Sequence, residues 1–201
     1  AYVGQARAQI GQVLSSASSR CPHLIVVGPC SIHDTQAGLE YAHRLAGLQT
    51  RLGSRCILIM RVYFEKPRTA IGWQGLITDP FLNGQFNLQE GLLRARTFLR
   101  QVLEIGLPTA TEFLDPITPQ YLGDLICWAA IGARNVHSQP HRLLASGLPM
   151  PVGFKNNLEG RISSAIDAVK AARKPHAYLG VDAQGRVCGV HTQGNPHTHL
   201  V

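Results

Sequence analysis

Arg61, Lys66 and Arg68 fall within eight residues of one another, with Glu65 among them. They follow Ile57, Leu58, Ile59 and Met60, a short apolar run rich in branched side chains that predicts a buried strand. Pro67 stiffens the backbone between the cations. Positive side chains gathered just past a buried strand suit a ligand with several negative charges, such as a sugar phosphate or a phosphorylated carboxylic acid. Taken alone, the same residues would read as an ordinary solvated loop. The rest of the chain decides between these readings.

Other reactive side chains share this placement. A strand over 23–29 delivers Cys30, followed by His33 and Asp34, which read as turn and helix-cap groups. Strands over 56–64, 109–114, 131–136, 151–155 and 177–181 carry or deliver Arg61, Glu112, Arg134 and Lys155. Helices are expected over 1–22, 35–52, from Asn87 to about Gly106, from Thr118-Pro119, over 141–146 and over 160–173. Asn87 with Glu90 fits a capping box, and Thr118 with Pro119 fits a helix start. The long segment between the second strand and Asn87 is too long for a plain connector, which argues for function, with Trp73 as a packing residue. Strand–helix alternation repeated six times predicts an α/β fold with a parallel sheet. In a closed barrel, strand ends share one face, and active sites lie there. No GxGxxG follows the first strand, which disfavours an open doubly wound sheet. The expected organisation is one βα-barrel domain over 1–201: a helical lead-in at 1–22, six βα units at 23–181, and a hairpin at 182–201 turning near Gln184-Gly185.

Composition sets outer limits. The chain has 201 residues, 45% hydrophobic and 15% charged, enough for a sizeable core. No apolar run approaches a membrane span, and the first twenty residues lack the apolar segment of a signal peptide. Net charge is +7, but the 19 Lys and Arg are scattered without a dense basic run. That pattern argues against nucleic acid and for small anions. Five cysteines without CxxC spacing argue against a zinc cluster or a disulfide framework, and for a reducing cytoplasm. His197 and His199, two apart, would share one face of a strand, which invites a metal reading.

Seven motifs then occur in order: GPCSIHD at 28–34, MRVYFEKPRT at 60–69 with GW at 72–73, EFLD at 112–115, ITPQY at 117–121, IGAR at 131–134, SQPHRLLASGL at 138–148 and PVGFKN at 151–156. From about residue 23 onward the chain resembles the type I, metal-dependent 3-deoxy-D-arabino-heptulosonate 7-phosphate (DAHP) synthases. The resemblance implies a (β/α)8 TIM-type barrel, with about six of its units present and an added hairpin. It implies a cytoplasmic transferase of the shikimate pathway of aromatic amino acid biosynthesis that condenses phosphoenolpyruvate with erythrose 4-phosphate. Arg61, Lys66, Arg134 and Lys155 match the residues that hold phosphoenolpyruvate. Arg68 and Thr69 match contacts to erythrose 4-phosphate. Lys66 and Glu112 match catalytic positions, and Cys30 matches a metal ligand. The His197/His199 pair has no metal role in the family.

The resemblance also implies a divalent metal (Mn2+, Fe2+, Co2+ or similar), an aromatic amino acid effector near Gln120, Leu148 and Tyr178, and a homo-oligomer, with no nucleic-acid or membrane partner. Three further metal ligands of the family match nothing up to Val201. The expectation is therefore a truncated chain, inactive and self-associating when alone, with a remnant that binds phosphorylated ligands or pairs with an intact synthase as the alternative. His137 stands where the family has a smaller or acidic residue, which alters the charge near the phosphate.

Overall fold

The structure is a computed structural model that describes all residues except Ala1, Ala17, Ser19, Arg20 and Ala183. The chain divides into two compact units, Ala1–Ala130 and Ile131–Val201.

The first unit begins with helix α1 (Tyr2–Ser15). Arg7 anchors it, donating from Nε and Nη2 to Ile126 O (3.0 and 2.9 Å) and from Nη2 to Gly123 O (2.5 Å). Strands β1 (His23–Val27), β2 (Cys56–Arg61), β3 (Thr109–Glu112) and β4 (Trp128–Ile131) run parallel in that order. Between them lie α2 (Thr35–Leu52), α3 (Leu88–Glu104) and the short α4 (Thr118–Leu122). The four-residue apolar run at 57–60 sits at the centre of β2 and is buried throughout. Alternation then sorts its faces. Ile57 and Ile59 pack with Ala110, Trp128 and Ala130 against Ala6 and Ile10 of α1. Arg61 follows Ile59 on that face, and Glu112 follows Ala110, so both end up on the same side of the sheet at its C-terminal edge.

Local chemistry accounts for the helix starts. Asp34 Oδ1 accepts from the N–H groups of Gln36 (2.9 Å) and Ala37 (3.0 Å), capping α2 as expected. Asn87 Oδ1 accepts from Glu90 N (3.1 Å), but Glu90 does not complete a box: its carboxylate pairs with Arg94 Nε at 2.7 Å. The Thr118 cap is corrected. Asp115 Oδ1 accepts from Ile117 N (2.6 Å) and Thr118 N (3.4 Å), so the cap lies outside the predicted residue. That helix is also short, giving way to a 3-10 turn at Gly123–Leu125. β4 accordingly begins at Trp128 and not at 131, and Arg134 lies in the turn beyond it, where Asn135 N donates to Gly132 O (2.9 Å).

The second unit holds α5 (Gln139–Gly147), β5 (Val152–Phe154), α6 (Ser163–Ala172), β6 (Ala177–Val181), β7 (Val187–His191) and β8 (Thr198–Leu200). Here the strand assignment at 177–181 is corrected. β6 pairs antiparallel with β7, so the hairpin spans 177–191 and not 182–201. The parallel partner of β5 is β8, with Val152 opposite Thr198. His199 lies on that strand and His197 just before it, not in the hairpin. The cause is Asn195. Its Nδ2 donates to Met150 O (2.9 Å), Leu148 O (3.2 Å) and Ala145 O (3.3 Å), while its N–H donates to Ala172 O (2.9 Å). One buried amide thus draws the segment after the hairpin back beside β5. The expected turn is present: Gly185 N donates to Asp182 O (3.0 Å).

Candidate functional site

The segment 62–87 has no regular secondary structure, yet its first part is held like a strand. Val62 N donates to Ala110 O (2.7 Å), and Ile32 N donates to Tyr63 O (3.0 Å). Val62, Tyr63 and Phe64 are buried, with Phe64 edge-on to Phe98 at 6.1 Å between ring centres. Further on, Lys66 N donates to Gln74 O (2.9 Å), and the Trp73 indole donates to Asp79 O (2.9 Å). Gly75 has φ +114°, and a Cβ there would lie 1.9 Å from Phe64 O. Only glycine fits that approach. The loop is thereby fixed against the end of β2.

This frame brings three of the expected residues together. Lys66 Nζ donates to Cys30 O (3.0 Å) and to Cys30 Sγ (3.2 Å). Arg61 Nη2 donates weakly to the same carbonyl at 3.4 Å. The Arg61 guanidinium lies over the Tyr63 ring, 3.6 Å from its centre. Its Nε is buried and has no hydrogen-bond partner among the described residues. A buried guanidinium N–H left in that state is costly unless a ligand accepts from it. Lys66, by its hydrogen bond and then its charge, holds the exposed Cys30 thiol below the ordinary thiol range, with smaller help from Arg61 and Arg68.

The remaining candidates are placed as follows. Arg68 Nε donates to Trp73 O (2.7 Å), and Thr69 is exposed beside it. Glu112 is buried at the end of β3. In the second unit, Lys155 directly follows β5, and its N–H donates to Ile131 O (3.1 Å), three residues before Arg134. His137 Nε2 meets Ser164 Oγ (3.2 Å) and Asn157 Nδ2 (3.4 Å). Tyr178 belongs to β6, Leu148 follows α5, and Gln120 lies in α4.

From the sequence, Glu65 reads only as an anion among cations. In the structure it is buried, and its Oε1 accepts from Asp115 N (3.1 Å) and Thr118 Oγ1 (3.3 Å) while Oε2 accepts from Leu114 N (3.4 Å). Burial pushes its carboxyl up to about 7 against the opposing pull of those donors. The apolar neighbours Tyr63 and Phe64 were the available signal for burial.

Among the described residues, no three His, Cys, Asp or Glu side chains group into a metal site. Cys30 is one suitable donor, and one donor does not hold a divalent ion against water. The described residues therefore do not fit a metal centre by themselves. No helix among the described residues is long and apolar enough to cross a membrane.

The strand-end cations and the βα alternation define an α/β protein of the βα-barrel type, and the chain belongs to the DAHP synthetase I family, which it matches over residues 15–201. Among similar proteins is the Tyr-sensitive phospho-2-dehydro-3-deoxyheptonate aldolase of Salmonella typhimurium, 50% identical over 201 residues, all of this chain and 56% of the relative. The Trp-sensitive enzyme of Escherichia coli K12 is 49% identical over 200 residues, covering 57% of that protein, and the Corynebacterium glutamicum aldolase is 48% identical over 199 residues, covering 54%. The solved phospho-2-dehydro-3-deoxyheptonate aldolase of Francisella tularensis superposes with a TM-score of 0.94 at 47% identity, covering 99% of this chain and 58% of that one. A Thermotoga maritima DAHP synthase shares the fold at TM-score 0.56 and 23% identity over 76% of this chain and 38% of that one. The chain thus spans little more than half the length of the curated relatives it matches.

Proposed function

We propose that this chain carries the phosphoenolpyruvate-binding part of a 3-deoxy-7-phosphoheptulonate synthase. The observation that carries the reading is the meeting of Arg61 and Lys66 at the Cys30 carbonyl, with a buried guanidinium N–H still lacking an acceptor. Arg61, Lys66, Arg134 and Lys155 grip the carboxylate and phosphate of phosphoenolpyruvate. Cations of this kind offset the repulsion between two phosphorylated substrates held side by side. Arg68 and Thr69 face the phosphate of erythrose 4-phosphate.

In the reaction, C3 of phosphoenolpyruvate forms a bond to the aldehyde carbon of erythrose 4-phosphate, whose oxygen becomes a hydroxyl. Water adds at C2, and the C2–O bond breaks to release inorganic phosphate. Lys66 moves a proton in this sequence, and Glu112 orients the water. The intact synthase takes a divalent metal (Mn2+, Fe2+, Co2+ or similar), to which this chain contributes Cys30. Relatives named Tyr-sensitive and Trp-sensitive support an aromatic amino acid effector. Gln120, Leu148 and Tyr178 are the positions assigned to it. The cytoplasm is the compartment, and a homo-oligomer the assembly.

Calorimetric titration with phosphoenolpyruvate, with and without Mn2+, tests the binding. Arg61→Ala and Lys66→Met are each expected to weaken it at least about tenfold, as loss of one charged hydrogen-bond donor does. Equal affinity in wild type and Arg61→Ala would overturn the reading.

A further inference from the structure

Lys66 and Glu112, given catalytic roles above as proton mover and water-orienting residue, come from different strand ends, and one side chain spans them. Glu65 precedes Lys66 directly. Its carboxylate accepts from the backbone N–H groups of Leu114 and Asp115, two and three residues beyond Glu112, and from the Thr118 hydroxyl. The far side of that loop is fixed independently, because Asp115 Oδ1 is committed to Ile117 N and Thr118 N. On the near side, Lys66 is held by its own N–H to Gln74 O and by Nζ on Cys30. Beyond the pairing of Val62 with Ala110 and Thr111, Glu65 is therefore the strut that joins the two segments at the level of Lys66.

We propose that Glu65 is a positioning residue that sets the placement of Lys66 relative to Glu112. The assignment of catalytic roles to those two rests on the proposed function, whereas the strut itself does not. Thr118 and the two amides could have been served by a bound water or a neutral side chain. A carboxylate buried here is disfavoured by burial and by the nearby Asp115 charge, and the three donors are what hold it in place. No cation donates to its oxygens in the contacts described. The three donors are aimed by geometry alone.

The test reads Lys66 through Cys30. Iodoacetamide labelling of the full chain at neutral pH, followed by peptide mass spectrometry, gives a rate for each cysteine. Lys66→Met sets the floor for Cys30, expected to be roughly fivefold below wild type because the thiolate loses its cation. Glu65→Ala is expected to fall to that floor while Cys21 and Cys56 keep their rates. Exchange of the Leu114 and Asp115 amides should quicken about tenfold as their acceptor is removed. Circular dichroism checks the fold, and if Glu65→Ala does not fold, Glu65→Met, of similar length but without an oxygen acceptor, carries the same comparison. A folded variant with an unchanged Cys30 rate overturns the proposal, even if the two amides exchange faster, since Glu65 would then brace only its own loop. Phosphoenolpyruvate affinity is measured alongside and should fall with the Cys30 rate. If the wild type does not bind phosphoenolpyruvate, the functional reading fails, and the labelling result still decides the strut.

Discussion

The segment 62–87 and the β6–β7 hairpin invert the usual relation between regular structure and fixed structure. The hairpin has a continuous antiparallel ladder from Ala177–His191 to Val181–Val187. Yet Leu179 and Val187 are 81% and 75% exposed. The segment 62–87 has no ladder of its own, but Val62, Tyr63, Phe64, Leu76 and Ile77 are buried, and its polar groups reach neighbouring strands and loops. Backbone pairing alone contributes little net stability per bond, because water offers the same bonds to the unfolded chain. Apolar burial and close approach are what hold a segment. The long loop is thus the better platform for aimed side chains, and the hairpin is free to vary.

The strongest challenge to this contrast is Gly75→Ala. A Cβ there meets the Phe64 carbonyl at 1.9 Å, so the loop must leave its seat. A loss of roughly 3 kcal/mol or more is expected in denaturant unfolding, the range for strained φ and overpacking combined. A second test uses pH. Glu65 has its folded carboxyl raised to about 7, above its unfolded value. Its contribution to stability is therefore fully present below about 4.3 and is lost as pH rises through 7, because the folded state binds the proton more tightly. Glu65→Gln should flatten the stability profile across that window by on the order of 3–4 kcal/mol, measured as urea midpoints at several pH values. A profile of the same slope in both proteins would mean that the carboxyl is not buried. Next, Asp34→Ala removes the cap of α2 and should cost about 1 kcal/mol. The smallest effect belongs to the hairpin: Leu179→Ser should change the midpoint by less than about 0.5 kcal/mol, as exposed substitutions do. A large loss at Leu179 would show that the hairpin is held by packing after all.

The sequence was most informative where one residue acts locally. Asp34 and Asn87 cap the helices that follow them, and the apolar run at 57–60 is the centre of a strand. Cys30, Arg61 and Lys66 could be assigned to strand ends from the same pattern. The errors have a shared origin in non-local bonds. The β6 strand looked like a further barrel strand because its composition suits either role. Asn195, 45 residues from Met150, determines that β8 takes the place beside β5. Ala129 suits a helix face after Thr118 as well as a strand, and the early end of α4 at Leu122 decides for the strand.

What the order of residues settled unaided was the alternation of strands and helices, the caps, and which reactive side chains stand just past a strand. Those properties follow from periodicity and from side chains acting within a few positions of themselves. Folding in three dimensions decided which of those side chains meet, that a carboxylate amid cations turns inward to two distant amides, and that the hairpin stands outside the parallel pairing. Each of these depends on partners tens of residues away, whose energies enter only once the chain has closed on itself.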